Sequence, residues 1–473
     1  MTTLLSQHCG GLAQLAVAGG ALLIGASIAH GQSAPAWAPA LDSVVRAALQ
    51  TSRAPGATVA VVSNGQIVYA KGYGLANVET SLPMTADMLL RVGSVTKMFT
   101  GAALASLAEQ GQLDPERPIA NYVGSLAGRR VGSVTAQQLM THSAGWIDNA
   151  VAYGRMGEGA LGEVMREVGD TLFFTDPGRT FSYSNPSISM AGYVAEVAGK
   201  QRYATLVEQR VLRPVGMTLS TFKPLEALTW PIAMGHTAAG PTAPMRVVRP
   251  MTENTAQWGA GFLFSSAPEL ARFTLAMMND GMIDGKPALP AAVVRRMTSG
   301  YVPHPGGSGL DSAMYGYGLV VGHATVRGAR ERVWTHGGAI NGYNASLTMV
   351  PGRKASVVVL VNGPGSGIAA IEAKALEFAL GAPLERRPRG TPRDLSAAER
   401  RALVGRYAMS SVTVELLEQG DTLVLRQGTS TMPVRGGGAG ELLIGEGQTA
   451  FYRIEGSKAA YVYTGSRALA RQP

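Results

Sequence analysis

The sequence predicts an α+β fold: an antiparallel sheet built from both ends of a long central region and flanked by helices, followed by a small β-rich unit. Three observations carry this. Strand patterns open and close the region 56–361, helical patterns fill its middle, and short β runs between Gly-rich turns dominate the tail. The length of 473 residues allows roughly two to four domains. With 46% hydrophobic and 15% charged residues, neither a disordered nor a highly charged chain fits. The single cysteine, Cys9, excludes a disulfide scaffold or a cysteine-ligated metal site within one chain. The charge of +9 is spread along the chain apart from one basic run, and no basic helix or aromatic-interleaved patch occurs, so no nucleic acid is expected as partner.

Taken in order, residues 12–29 form an apolar run followed by small residues, with Ala29, Gly31 and Ala34 as cleavage positions. Residues 1–31 thus read as a signal peptide and imply export, to a periplasm or beyond, although Met1 to Gly11 carry no Lys or Arg. A membrane anchor of marginal length is the rival reading; Gly19, Gly20, Gly25 and Gln14 dilute the run and count against it. Residues 56–73 are two β runs joined at Asn64-Gly65, a pair suited to a tight hairpin. Helical patterns follow at 98–109, 187–198 and 268–278, each ending near a glycine; Ser266 and Glu269 before the last have capping-box spacing. Residues 332–337, 343–350 and 355–361 read as strands, the last two joined by Pro351-Gly352-Arg353. The catalytic-size unit then spans 40–380. Residues 381–394, with Pro383, Pro388 and Pro392 among four arginines, read as an extended, solvated linker, so truncation near Gly390 is expected to leave a folded domain. A short helix near 397–403 and β runs at 412–417, 422–426 and 460–464 make 395–473 a small β-barrel or sandwich.

Three local patterns could carry chemistry. Ser94 and Lys97 are three apart at the start of a helical pattern, which puts hydroxyl and amine one turn apart on one face. An unprotonated lysine there can take the serine proton during attack on a carbonyl. Alone the pair means little: with 31 Ser and eight Lys, about one such pair arises by chance in two chains of this kind. Tyr183 and Asn185 are two apart ahead of a helix with Pro186 in its first turn, so phenol and carboxamide can face one cavity. His336, Gly337 and Gly338 follow a β run, and the glycines would let a ligand lie close along the strand edge. Singly, each pattern is better read as a helix cap, an exposed tyrosine or a strand-end turn.

Together, in this order and spacing, the residues resemble the serine β-lactamase and penicillin-binding-protein superfamily, in the branch holding class C β-lactamases, D-aminopeptidases, DD-peptidases and related carboxylesterases. Ser94 and Lys97 match its Ser-x-x-Lys motif, Tyr183-Ser184-Asn185 its Tyr-x-Asn motif, and His336-Gly337-Gly338 stands where its Lys-Thr-Gly strand motif would be. LMTHSAGW around His142, PGRTFSYSN from Pro177 and the stretch Gly259 to Phe273 look like further landmarks. The similarity covers roughly residues 42–378, and the tail resembles the lipocalin-like domains some members carry.

The resemblance implies a β-lactamase-like domain, an antiparallel sheet with flanking helices and an all-helical subdomain. It implies an acyl-enzyme on Ser94, with Lys97 and Tyr183 sharing the proton traffic and neither singled out as the base. It further implies an oxyanion hole from the N–H groups of Ser94 and Ala339, and Asn185 holding either the substrate amide or Lys97. His336 in place of a lysine makes the anchoring cation conditional on pH, and Gly337 removes a hydroxyl, which shifts weight from β-lactams toward peptides or esters. A β-lactamase stays open as the alternative, as does a catalytically silent binding or sensor protein. His142, His236, His304 and His323 have no metal-ligand spacing, and no Gly-x-Ser-x-Gly occurs, so no metal, no cofactor and no α/β-hydrolase is expected. The expected partner is a small-molecule or peptide substrate, with the membrane involved only if the leader is retained; the oligomeric state stays open.

Overall fold

A computed structural model describes residues 34–473; the proposed leader lies outside them. A nine-stranded antiparallel sheet forms the centre. Its strands in chain order are β1 (Gly56–Ser63), β2 (Gln66–Asn77), β3 (Leu82–Pro83), β4 (Val302–Pro303), β5 (Asp311–Tyr315), β6 (Val320–Val326), β7 (Ala329–Ile340), β8 (Tyr343–Val350) and β9 (Ala355–Val361). In space they run β4-β5-β6-β7-β8-β9-β1-β2-β3. The join between the two ends of the chain is β1 on β9, with Val59 opposite Val359. Both strands are buried on both faces, which is why their sequences are almost unbroken runs of Val and Ala. Asn64 and Gly65 both have positive φ, 50° and 75°, and turn the β1–β2 hairpin as their sequence predicts.

Helices cover both faces. On one side α1 (Ala38–Ser52) and α5 (Ile368–Leu380) pack on β1, β2 and β9 through Leu41, Val45, Ile371 and Leu376. On the other lies the larger core, centred on α2 (Thr96–Glu109), with α3 (Asn185–Ala198) and α4 (Ala267–Met278). From Thr96 to Leu107 every residue of α2 is buried, the mark of a helix enclosed on all sides. The capping box expected at α4 is only half present. Ser266 accepts the Glu269 N–H, but the Glu269 carboxylate turns away to accept from the Leu219 N–H at 2.7 Å and the Ser220 hydroxyl at 2.6 Å. A buried loop that needs an acceptor outcompetes the helix's own N–H.

The tail is a closed eight-stranded barrel: β10 (Gly405–Met409), β11 (Val412–Gln419), β12 (Thr422–Gln427), β13 (Ser430–Gly436), β14 (Glu441–Ile444), β15 (Gln448–Glu455), β16 (Lys458–Thr464) and β17 (Arg467–Arg471). Closure leaves no free edge, and Tyr407, Leu416, Leu425, Leu442 and Val462 fill the inside. The arginine-rich connection is extended but held down. Thr325 and Glu385 form a β-bridge, as do Arg393 and Gly436, and Arg386 reaches the Glu372 carboxylate at 2.8 Å. Arg386 thus anchors the segment, while Arg387, Arg389 and Arg393 are exposed.

Candidate active site

Ser94 lies in a 3₁₀ turn, Gly93–Val95, that leads into α2. The turn is pressed against β7. A Cβ on Gly93, whose φ is +52°, would lie 2.6 Å from the Ala339 nitrogen, and one on Gly338 would lie 2.0 Å from the Val92 oxygen and 3.2 Å from the Ser94 nitrogen. The absence of side chains at both positions thus sets the N–H groups of Ser94 and Ala339 side by side. Preorganised backbone donors at a helix start suit a developing oxyanion.

Lys97 is one turn further along α2 and wholly buried. Its Nζ donates to Ser94 Oγ at 3.1 Å, Asn185 Oδ1 at 2.7 Å and the Ala260 carbonyl at 2.6 Å. Burial disfavours the charged form and pushes the amine down to about 7; Asp148 pulls it back up and Arg467 presses it further down. The Tyr183 hydroxyl donates to the same Ser94 Oγ at 2.7 Å, and burial pushes that phenol well above its usual range.

Tyr183 and Asn185 converge on the Ser94–Lys97 pair, the phenol on Ser94 and the carboxamide on Lys97, but only Tyr183 lines the cavity, because Asn185 is spent on Lys97 and Asp148. Ser184 between them is extended (φ −145°) and caps α3, accepting the Ser187 N–H at 3.3 Å. His142 holds this strand from behind. Its Nδ1 accepts the Ser184 N–H at 3.0 Å, its carbonyl accepts the Ser182 N–H at 2.8 Å, and its ring lies 4.4 Å from that of Tyr183.

His336 is no conditional cation. It is buried, its Nδ1–H donates to the Gly337 carbonyl at 2.5 Å, and its Nε2 accepts from the Tyr315 hydroxyl at 3.0 Å. Burial pushes it down to about 3 and His304 down to about 4, so both rings are neutral across the physiological range. Gly337 does leave an open space, its nearest would-be Cβ contact being 3.7 Å away.

Two polar residues of the site carried no signal in the reading of motifs. Asp148, two residues after the HSAGW stretch, accepts both the backbone and side-chain N–H groups of Asn185 at 3.1 Å. Arg467 comes from the barrel and donates to Asp148 at 2.9 Å and 2.5 Å. The barrel also roofs the site. Tyr183 N–H donates to the Ser466 carbonyl at 2.9 Å, and Phe451, Gly465 and Ser466 line the cavity of about 740 Å³ that opens on Ser94. Among the described residues lining that cavity there is no Lys or Arg, and its one carboxylate, Glu372, is held by Ser346, Thr348 and Arg386. No cluster of metal-ligating side chains is present among the described residues.

Comparison with known proteins agrees with this fold. The beta-lactamase family model matches residues 41–381. Protein flp of Staphylococcus aureus is 27% identical over 208 residues, 43% of this chain and 42% of that one, so the chain spans under half the length of this relative. A protein named beta-lactamase from Pseudomonas fluorescens is 26% identical over 342 residues, covering 68% of this chain and 92% of its own. The octameric penicillin-binding protein homologue of Pyrococcus abyssi superposes with a TM-score of 0.66 at 23% identity over 92% of this chain and 99% of its own, a likeness of fold that takes in the barrel. With the family model spanning well over half of its length, the chain belongs to the beta-lactamase family, whose members are serine hydrolases.

Proposed function

We propose that the protein is an exported hydrolase that cleaves an uncharged ester or amide through an acyl-enzyme on Ser94. One observation carries this: a wholly buried amine, pushed down to about 7, stands 3.1 Å from a serine hydroxyl that also receives a phenol hydrogen bond. Neutral Lys97 takes the Ser94 proton as Oγ bonds to the carbonyl carbon; Tyr183, protonated at rest, gives its proton to the leaving alkoxide or amine as the C–O or C–N bond breaks, and takes the proton held by Lys97 in its place. Water then attacks the acyl carbon, gives its proton back through the same pair, and Ser94 is regenerated. The neutral His336 and the lack of a cation in the cavity support a substrate without a carboxylate at the position where β-lactams carry theirs.

A β-lactamase is the second reading, favoured by the name of the Pseudomonas fluorescens relative. Fluorophosphonate treatment followed by intact-mass measurement tests the chemistry: one adduct is expected on the wild type and none on Ser94→Ala, and an unlabelled wild type refutes the hydrolase. Rates on p-nitrophenyl esters, D-alanine anilide and nitrocefin then rank substrates. The missing charged contact, worth about 1.5–3 kcal/mol, puts nitrocefin roughly 10- to 150-fold below the best ester. Equal or faster nitrocefin turnover would favour the second reading.

A further inference from the structure

We propose that Arg467, brought in by the tip of the barrel's last hairpin, is a positioning residue for the Lys97 amine, acting through Asp148 and Asn185, so that docking of the barrel sets the reactivity of Ser94. The path is directional. Arg467 Nε and Nη2 donate to Asp148 Oδ2; Asp148 Oδ1 accepts from Asn185 Nδ2; and Asn185, its nitrogen committed, can present only its oxygen to Lys97 at 2.7 Å. The Asp148 side chain is 5% exposed, whereas that of Arg467 is 45% exposed, so the guanidinium covers a buried carboxylate. A buried carboxylate without its cation would draw a proton onto the nearest amine and draw the Asn185 amide toward itself.

The same hairpin is fastened on either side of Arg467. The Ser466 carbonyl accepts the Tyr183 N–H, the Ala468 N–H donates to Ser182 Oγ at 3.2 Å, and the guanidinium lies 5.5 Å from the Tyr183 ring centre. Groups facing Lys97 from the surrounding elements are the Ser94 hydroxyl, the Asn185 amide, the Ala260 carbonyl and the Tyr183 ring, with Asp148 and Arg467 behind them. His142 and His336 are also near, and burial keeps both neutral. Arg467 and Asp148 are therefore the charged pair that biases the amine, in opposite directions.

The inference rests on Ser94 being reactive, and its test is independent of substrate class: the rate of fluorophosphonate labelling of the full-length chain against pH. In the wild type the rate should rise with a midpoint near 7. Arg467→Gln should move that midpoint up by about 0.5–1 unit and slow labelling at pH 7 roughly 2- to 5-fold. Asp148→Asn should move it the other way, the double variant should return toward the wild type, and Arg467→Lys should recover most of the rate. A merely structural Arg467 would lower Tm in Arg467→Gln without moving the midpoint, and that result overturns the inference. If Arg467→Gln fails to fold, Arg467→Lys and Asp148→Asn decide by the same midpoint. An unlabelled wild type would instead refute the hydrolase reading.

Discussion

In the proposed mechanism Lys97 sets the pH at which Ser94 can lose its proton. Because only the neutral amine accepts that proton, kcat/KM should climb through about pH 7 and level off above it; a profile flat from pH 5.5 to 8.5 would remove Lys97 as base. The same burial has a stability cost. The unfolded lysine holds its proton to about 10.4, so between about 7 and that value the unfolded state binds more protons and stability rises with pH. Below 7 the cost of the buried charge is fully present. Lys97→Met should lower activity about 10²- to 10⁴-fold and yet raise Tm, more at pH 6 than at pH 9. Gly338 acts through space. A methyl group there would collide with the Val92 oxygen and push β7 off the Ser94 turn. Gly338→Ala should cost about 1–3 kcal/mol in urea unfolding and, with the Ala339 N–H displaced, about 10²- to 10³-fold in kcat.

Elements differ in how much of their geometry is local. The β1–β2 hairpin depends on two neighbouring residues, Asn64 and Gly65, and was readable from them. The start of α4 depends on a partner 50 residues away. Glu269→Ala would leave the Leu219 N–H without its acceptor and should cost about 1–3 kcal/mol by chemical denaturation, more than an ordinary cap of about 1 kcal/mol. A loss under 0.5 kcal/mol would mean that water replaces the carboxylate. The catalytic motifs were legible for the same reason as the hairpin. Ser94 and Lys97 lie one turn apart where a 3₁₀ turn runs into α2, and Tyr183 and Asn185 flank the extended Ser184 at the start of α3, so short spacing brings each pair together.

For the molecule as a whole, the barrel is part of the site. Tyr461 and Tyr463 bond the hydroxyls of Thr175 and Thr180 at 2.7 and 2.6 Å, Arg179 pairs with Glu455, and Ile147 and Phe174 pack on the barrel's apolar residues. Ending the chain at Gly390 uncovers Ile147 and Phe174, each worth about 1.5–3 kcal/mol when fully buried, and leaves Asp148 without Arg467. The fragment 34–390 should therefore melt below the full chain and label with fluorophosphonate at least about 10-fold more slowly at pH 7. Equal labelling would reduce the barrel to an appendage.

By itself the sequence determined the α+β class, the strands at both ends of 56–361 and the hairpin at Asn64-Gly65, because periodicity and turn chemistry act over a few residues. Only the tertiary structure decided that His336 is buried against Tyr315, that Asp148 accepts from Asn185, and that a barrel arginine pairs with Asp148 behind the Lys97 amine. Those properties depend on burial and on pairs up to 319 residues apart, Asp148 and Arg467 being the longest. Desolvation and long-range contact leave no trace in the local order of residues.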